Sequence, residues 1–258
     1  MGFPSIVELS FGDEKEAQST KIGGLTLGIR GILPDGREFV HARASTAAAL
    51  SLGRLVVQAA VAGTSVNVVA GSAAAIGATT VVLTMPATTL CTRADQYADG
   101  TLHTNDATGE GYTYKILSSN TAAADSSATF TLYPTDKIKV ALVSGTSECT
   151  IRTSPFGHVL DRAAGTSSVG IIAGIPQVAV SSGFYCWLQR RGEATLLAGG
   201  TLAVTGRLFA ACTVEASFQA FNSIPANTTL APVDEPLGEC MVAAAASSEY
   251  MSGYLHLD

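Results

Sequence analysis

Large and small, apolar and polar residues alternate along much of this chain with a period of two. That is the spacing of a half-buried β-strand, because successive side chains leave a strand on opposite faces. The clearest cases are two stretches that read alike: Asp35–Leu55 (DGREFVHARASTAAALSLGRL) and Gly183–Leu202 (GFYCWLQRRGEATLLAGGTL). Each opens on a glycine turn. Each then alternates large residues, Phe39, His41 and Arg43 in one and Tyr185, Trp187 and Gln189 in the other, and closes on small ones. With a single-residue gap they align as a repeated strand–turn–strand unit, a building block of small barrels and sandwiches.

The rest of the pattern extends this reading. Leu25, Leu27 and Ile29 alternate with Thr26, Gly28 and Arg30, which predicts a strand from Gly23 onward. Pro34-Asp35-Gly36 predicts a tight turn, since proline presets φ and glycine tolerates a positive one. Glu38–Arg43 then returns as the second strand of a hairpin. Ser45–Ala60 has a helix-like content of Ala, Leu and Gln, but Gly53 at its centre costs a helix about 1 kcal/mol, so it reads as a turn and a strand. Short β-type runs follow at Val66–Val69, Thr79–Thr84, Tyr112–Leu117, Thr129–Leu132 and Cys149–Thr153. Turn-rich spacers divide them, among them Ala98-Asp99-Gly100 and Asn105-Asp106. Pro134 and Pro155 belong at strand ends or edges. Further runs are Val169–Ile172, Gln177–Val180, Phe184–Gln189, Thr201–Leu208, Thr213–Ala216 and Tyr250–Leu257, with Pro225–Pro236 as a loop.

These runs predict an all-β protein. Residues 23–60 and 165–258 form one discontinuous small barrel or sandwich, and residues 61–164 are a second β domain, sandwich or barrel, inserted into it. Residues 1–22 carry Phe3, Ile6, Val7, Leu9 and Phe11 before the charged run Asp13-Glu14-Lys15-Glu16. They read as an N-terminal arm able to add to a neighbouring subunit, or as an ordinary first strand, with the arm favoured.

Composition narrows the function. Of 258 residues 47% are hydrophobic, yet only 7% are aromatic and 14% charged. The usual charged share is about a quarter, so this surface has little to hold neighbours apart and reads as one buried in an assembly, a homo-oligomer among the options. A net charge of −6 argues against a nucleic-acid partner, which calls for a basic face. No run of apolar residues is long enough for a membrane span. The start, MGFPSIVELSFGDEKE, has neither the basic n-region nor the apolar h-region of a signal peptide, and Ile6 breaks the myristoylation pattern.

Catalytic chemistry is sparse. His41, His103, His158 and His256 are too far apart in sequence for a metal-binding helix pair, and no GxSxG elbow, Walker loop or dinucleotide fingerprint occurs. Cys91, Cys149, Cys186, Cys212 and Cys240 form no CxxC and read as buried free thiols. Asp95, Asp99, Asp106 and Glu110 lie close together, but without the spacing of a calcium loop; they suit turns equally well. The expectation is therefore no enzyme, no catalytic residue, no metal and no cofactor. Trp187, the only tryptophan, stands beside Tyr185 and before Arg190 and Arg191. Aromatic residues with Arg are the composition of interface anchors, although a strand-core tryptophan fits the same pattern. Phe3, Phe11, Trp187, Arg190 and Arg191 are the candidate partner-binding residues.

Three segments carry a family resemblance. The first is Leu27-Gly28-Ile29-Arg30-Gly31 with Asp35–Ala42. The second is Asp95–Gly100 with Asn105-Asp106 and Thr108–Tyr112. The third runs from Val178-Ala179-Val180 through Phe184–Gln189 to Gly192, and the tail Pro232–Leu257 adds to them. In these the chain resembles the capsid decoration, or cement, proteins of tailed bacteriophages and related β-rich head proteins. The resemblance implies a non-enzymatic virion protein, made in the cytoplasm of a bacterial host. It would bind the major capsid protein on the outer capsid surface and stabilise the lattice, often as a trimer. Two other readings stay open. One is a head-fibre or tail component. The other is a carbohydrate-binding β module with Tyr97, Tyr112, Tyr114 and Trp187 as its stacking platform.

Overall fold

The computed structural model describes residues 6–59, 65–86, 91, 93–123, 125–162, 171–199, 208–211, 217–220, 236–243 and 248–257. The first five strands are β1 (Ile6–Glu8), β2 (Ala17–Gln18), β3 (Arg30–Ile32), β4 (Glu38–Arg43) and β5 (Val56–Gln58). Six follow: β6 (Val68–Val69), β7 (Thr80–Thr84), β8 (Thr101–Asp106), β9 (Thr113–Ser119), β10 (Ser127–Leu132) and β11 (Glu148–Arg152). The last seven are β12 (Val159–Asp161), β13 (Ile172–Pro176), β14 (Tyr185–Leu197), β15 (Leu208–Ala211), β16 (Phe218–Ala220), β17 (Gly238–Val242) and β18 (Tyr250–His256). The protein is all-β, as the alternation predicts. Its chain divides into a unit of Met1–Ala59 with His158–Asp258 and a unit of Ala60–Gly157.

The discontinuous unit is built around β14, a strand of 13 residues. One edge of β14 pairs with β4, from Tyr185↔Arg43 to Arg191↔Glu38. The other edge takes β2, β13 and β18 in succession, β18 from Arg191↔His256 to Leu197↔Tyr250. The hairpin at Pro34-Asp35-Gly36 forms as expected. Gly36 has φ 84°, and the Leu33 N–H donates to the Arg37 carbonyl at 3.0 Å. The two look-alike segments turn out to be neighbours, with His41 opposite Trp187.

The repeat itself does not hold beyond their first halves. The first copy turns away after Arg43, whereas the second continues as one strand to Leu197. Nor is β4 half-buried: Phe39, Val40, His41 and Ala42 are all buried, because the sheet is covered on both faces there. Only the far half of β14 alternates, with Ala194 and Leu196 inward and Glu193 and Thr195 exposed.

Two local predictions fail for backbone reasons. Residues 23–29 are not a strand; Ile22–Gly24 is a 3₁₀ turn, and Gly24 and Gly28 have φ 70° and 88°, a left-handed conformation that breaks a strand and suits glycine. Gln177–Val180 makes only a bridge from Val180 to Leu50, and the strand lies earlier, at β13. Residues 6–18, read as a free arm, pair within their own unit: β1 runs parallel to β3 and β2 antiparallel to β14. The expected strand at Thr213–Ala216 lies outside the described residues. So do Thr201–Leu208 except Leu208, and the loop Pro225–Pro236 except its last residue.

Two clusters of this unit lie among the described residues. Leu9, Leu33, Phe39 and Trp187 pack as one. Leu55, Ile175, Leu196, Phe209, Phe218 and Leu255 belong to the other, where the Phe209 and Phe218 rings meet edge-on at 5.4 Å.

The inserted unit is a nearly closed barrel of order β6-β11-β8-β9-β10-β7. The bridge Ala70↔Leu83 and a 2.9 Å bond from the Gly71 N–H to the Val82 carbonyl link its two end strands. Its interior side chains, including Leu83, Leu102, Tyr114, Ile116, Phe130 and Ile151, come from alternate positions of each strand. Asn105-Asp106, read as a spacer, is the end of β8. Leu102 and Thr104 point inward while the polar residues point outward. There Asn105 donates to Asn67 Oδ1 at 2.7 Å and accepts from Thr150 Oγ1 at 3.0 Å, so polar side chains form the outer ladder of a genuine strand.

Tight packing at Trp187 gives the first prediction. A Cβ on Gly31 would lie 2.6 Å from Leu9 Cδ1 and 2.9 Å from Trp187 Cζ3. Gly31→Ala therefore lowers the stability of the discontinuous unit by about 1–3 kcal/mol, read from urea denaturation followed by Trp187 fluorescence.

Candidate functional site

The predicted contact residues scatter. Trp187 is 2% exposed, tilted against His41 at 5.3 Å and packed with Phe39 and Leu33; it is a core residue and offers a partner nothing. Arg190 is half-buried, and its Nη1 donates to the Ile172 and Ala173 carbonyls at 3.0 and 3.2 Å, tying β14 to β13. Arg191 points the other way, its side chain 56% exposed, and pairs with Glu38 at 3.5 Å. Phe3 lies outside the described residues. Phe11 is 63% exposed and is the candidate that stands free on the surface.

Phe11 borders a groove of about 790 Å³ whose lining mixes polar and apolar residues: Glu8, Leu9, Ser10, Ile32, Leu33 and Pro34. The groove lies beside β1, which ends the sheet order among the described residues. Exposed Ile6 adds to this edge. An end strand presents backbone donors and acceptors to any chain that can pair with it. Sequence reasoning reached Phe11 by residue type but could not see that Leu33 and Pro34, from the distant hairpin, complete the groove.

A second depression, of about 670 Å³, opens over the far half of β14. Arg37 organises one wall. It lies 2.7 Å from Asp35 and 3.8 Å from Glu14, and its guanidinium is 5.9 Å from the Phe39 ring centre. Burial works against the Asp35 carboxylate, yet the Arg37 bonds hold its pKa below the ordinary value. Glu14 was legible only as one member of a charged run. In the fold it is 2% exposed and accepts from the Gly12 N–H at 2.6 Å. Gly192, at φ 92°, passes directly beneath; a Cβ there would press on Arg37 Cγ at 2.8 Å.

The other candidate chemistry is structural. Among the described residues no group of three or more His, Cys, Asp or Glu side chains could hold a metal ion. Asp95 accepts from the Ser119 N–H at 3.2 Å, buried Asp99 from the Tyr133 hydroxyl at 2.6 Å, and Asp106 from the Ala107 N–H at 2.7 Å. Three of those carboxylates thus shape turns and strand ends. The envisaged aromatic platform does not assemble. Tyr97, Tyr114 and Trp187 are buried, and only Tyr112 is exposed. Half-buried Asp161 holds the Ser51 N–H at 3.2 Å; partial burial raises its pKa, against that bond and the Arg54 charge. Comparison with family models, curated proteins and solved structures finds no match.

The thiols provide a test of this geometry. Cys91, Cys149 and Cys186 are buried and free, and burial pushes their pKa values up to about 11, 11 and 12. Since the thiolate is the reactive form, none of the three is alkylated by iodoacetamide at pH 8 in the native protein, and all three are in denaturant, as read by peptide mass mapping.

Proposed function

We propose that this protein is a structural component of a phage virion that binds the outer surface of the capsid and stabilises the lattice by bridging major capsid subunits, as a homo-oligomer with a trimer favoured. The observation that carries the reading is β1, which ends the sheet order among the described residues, beside a groove that exposed Phe11 borders. Strand addition at such an edge couples main-chain hydrogen bonds to side-chain pockets. The low charged fraction of 14% and the resemblance of the Asp35–Ala42, Asp95–Gly100 and Phe184–Gln189 segments to decoration proteins support the same reading. Contact rather than chemistry is the task of such a protein. One modest interface per copy suffices, because many copies on one lattice multiply its effect.

Purified particles with and without the protein test this. Particles carrying it rupture at a higher temperature, read by dye access to packaged DNA. Phe11→Asp weakens particle binding roughly tenfold or more, a loss of at least about 1.4 kcal/mol, with an unchanged melting temperature of the free protein. Equal rupture temperatures, with no protein retained on the capsid in electron micrographs, refute the proposal.

A further inference from the structure

The outer face of β17 and β18 gathers apolar side chains that the fold leaves in solvent. Met241, Val242, Tyr250 and Tyr254 are four of the twelve exposed large apolar residues among the described residues, with Val242 at 62% and Tyr250 at 50%. Strand register joins them into one surface. Val242 lies opposite Ser252 and Tyr250 opposite Leu197, and the shift between Cys240 and Val242 sets Met241 in a bulge. An exposed apolar patch with a polar border marks an interaction site.

Charge selects what covers it. One row across three strands reads Glu193, Tyr254, Glu239, each opposite the next. Residues paired in this way leave the sheet on the same face, and all three are exposed. Neighbouring strands lie about 4.8 Å apart, so the two carboxylates flank Tyr254 from strands about 10 Å apart. Among the described residues neither carboxylate pairs with a basic side chain; Glu193 accepts from the neutral Ser252 hydroxyl at 2.8 Å. The basic residues around the depression over β14 turn to other acids: Arg191 to Glu38 at 3.5 Å, Arg37 to Asp35 at 2.7 Å and Lys15 to Glu14 at 3.8 Å. An exposed aromatic ring between two carboxylates attracts a cation, and a guanidinium suits it best, because it stacks flat and its fork matches a carboxylate. We propose that this face docks a protein segment carrying an arginine with apolar residues two positions away. The guanidinium lies over Tyr254 and bonds to Glu193 or Glu239, and the apolar side chains cover Val242, Met241 and Tyr250. Such docking requires nothing of the β1 edge or of capsid binding.

Isothermal titration of the full chain with acetylated pentapeptide amides tests it. The probes are Ile-Ser-Arg-Ser-Ile, the same peptide with citrulline or glutamate in place of arginine, and Gly-Ser-Arg-Ser-Gly. Citrulline keeps the shape of arginine and removes its charge. The first peptide binds with a Kd below about 1 mM, the citrulline and glycine peptides bind at least about fivefold more weakly, and the glutamate peptide does not bind. Tyr254→Ala, and Glu193→Gln combined with Glu239→Gln, each weaken binding of the first peptide about fivefold or more. These are exposed positions, and both variants keep the parent melting temperature. Phe11→Asp, at the β1 edge, leaves this binding unchanged. Absence of binding by the first peptide up to about 10 mM, equal binding of the citrulline or the glycine peptide, or full binding by both variants overturns the proposal.

Discussion

One long strand organises the discontinuous unit. From Tyr185 to Arg191 β4 occupies one edge of β14, and β2, β13 and β18 share the other edge along the strand. A central strand must satisfy its backbone groups on both sides, because an unpaired buried amide or carbonyl is costly. That requirement gathers segments from both ends of the chain around Tyr185–Leu197. It also explains the side chains. Where β14 lies under β4 its residues from Cys186 to Gln189 are all buried; beyond Gly192 one face opens to solvent and alternation returns.

The same sheet makes the insertion possible. β5 and β12 leave and re-enter this unit as antiparallel neighbours, Val159 opposite Gln58, with the Ala59 N–H donating to the His158 carbonyl at 2.8 Å. The chain thus departs and returns at almost one point, the geometry in which an inserted domain is tolerated. The inserted barrel has a core of its own. Its own interior is filled from alternate positions on six strands, and closing a sheet on itself removes the exposed edges that invite aggregation. Among the described residues the sheet order of the discontinuous unit ends at β1 and at β16.

Polar groups divide between these surfaces according to burial. Glu38 stands between Arg30 and Arg191 at 3.9 and 3.5 Å; exposed pairs of this kind are worth little. Glu14 and Arg37 are withdrawn from water and fix the wall of the depression over β14. Gln189, fully buried, donates from Nε2 to the Arg191 and Glu193 carbonyls at 3.1 and 2.7 Å. Those bonds brace β14 at the register shift between Gln189 and Arg191, so one buried amide supports the turn from covered to open sheet.

Residue alternation carried the fold class, the Pro34-Asp35-Gly36 hairpin and most strands of the barrel, because a period of two and a proline–glycine turn are local consequences of backbone sterics. It misread Leu25–Ile29, where glycines at positive φ override the alternation, and β8, where outward polar residues imitate a turn. Residue type and position selected Phe11 and Trp187 among five candidates for contact, with the Trp187 segment ahead. The fold separated them. Trp187 lies opposite His41 on a sheet covered on both faces, whereas Phe11, in the turn after β1, is exposed. The groove at β1 and the depression over β14 each join residues far apart in the chain, Leu9 with Leu33, and Gln177 with Thr195 and Tyr254. Such sites depend on strand pairing and register, which arise from non-local hydrogen bonds, and tertiary structure alone could decide them.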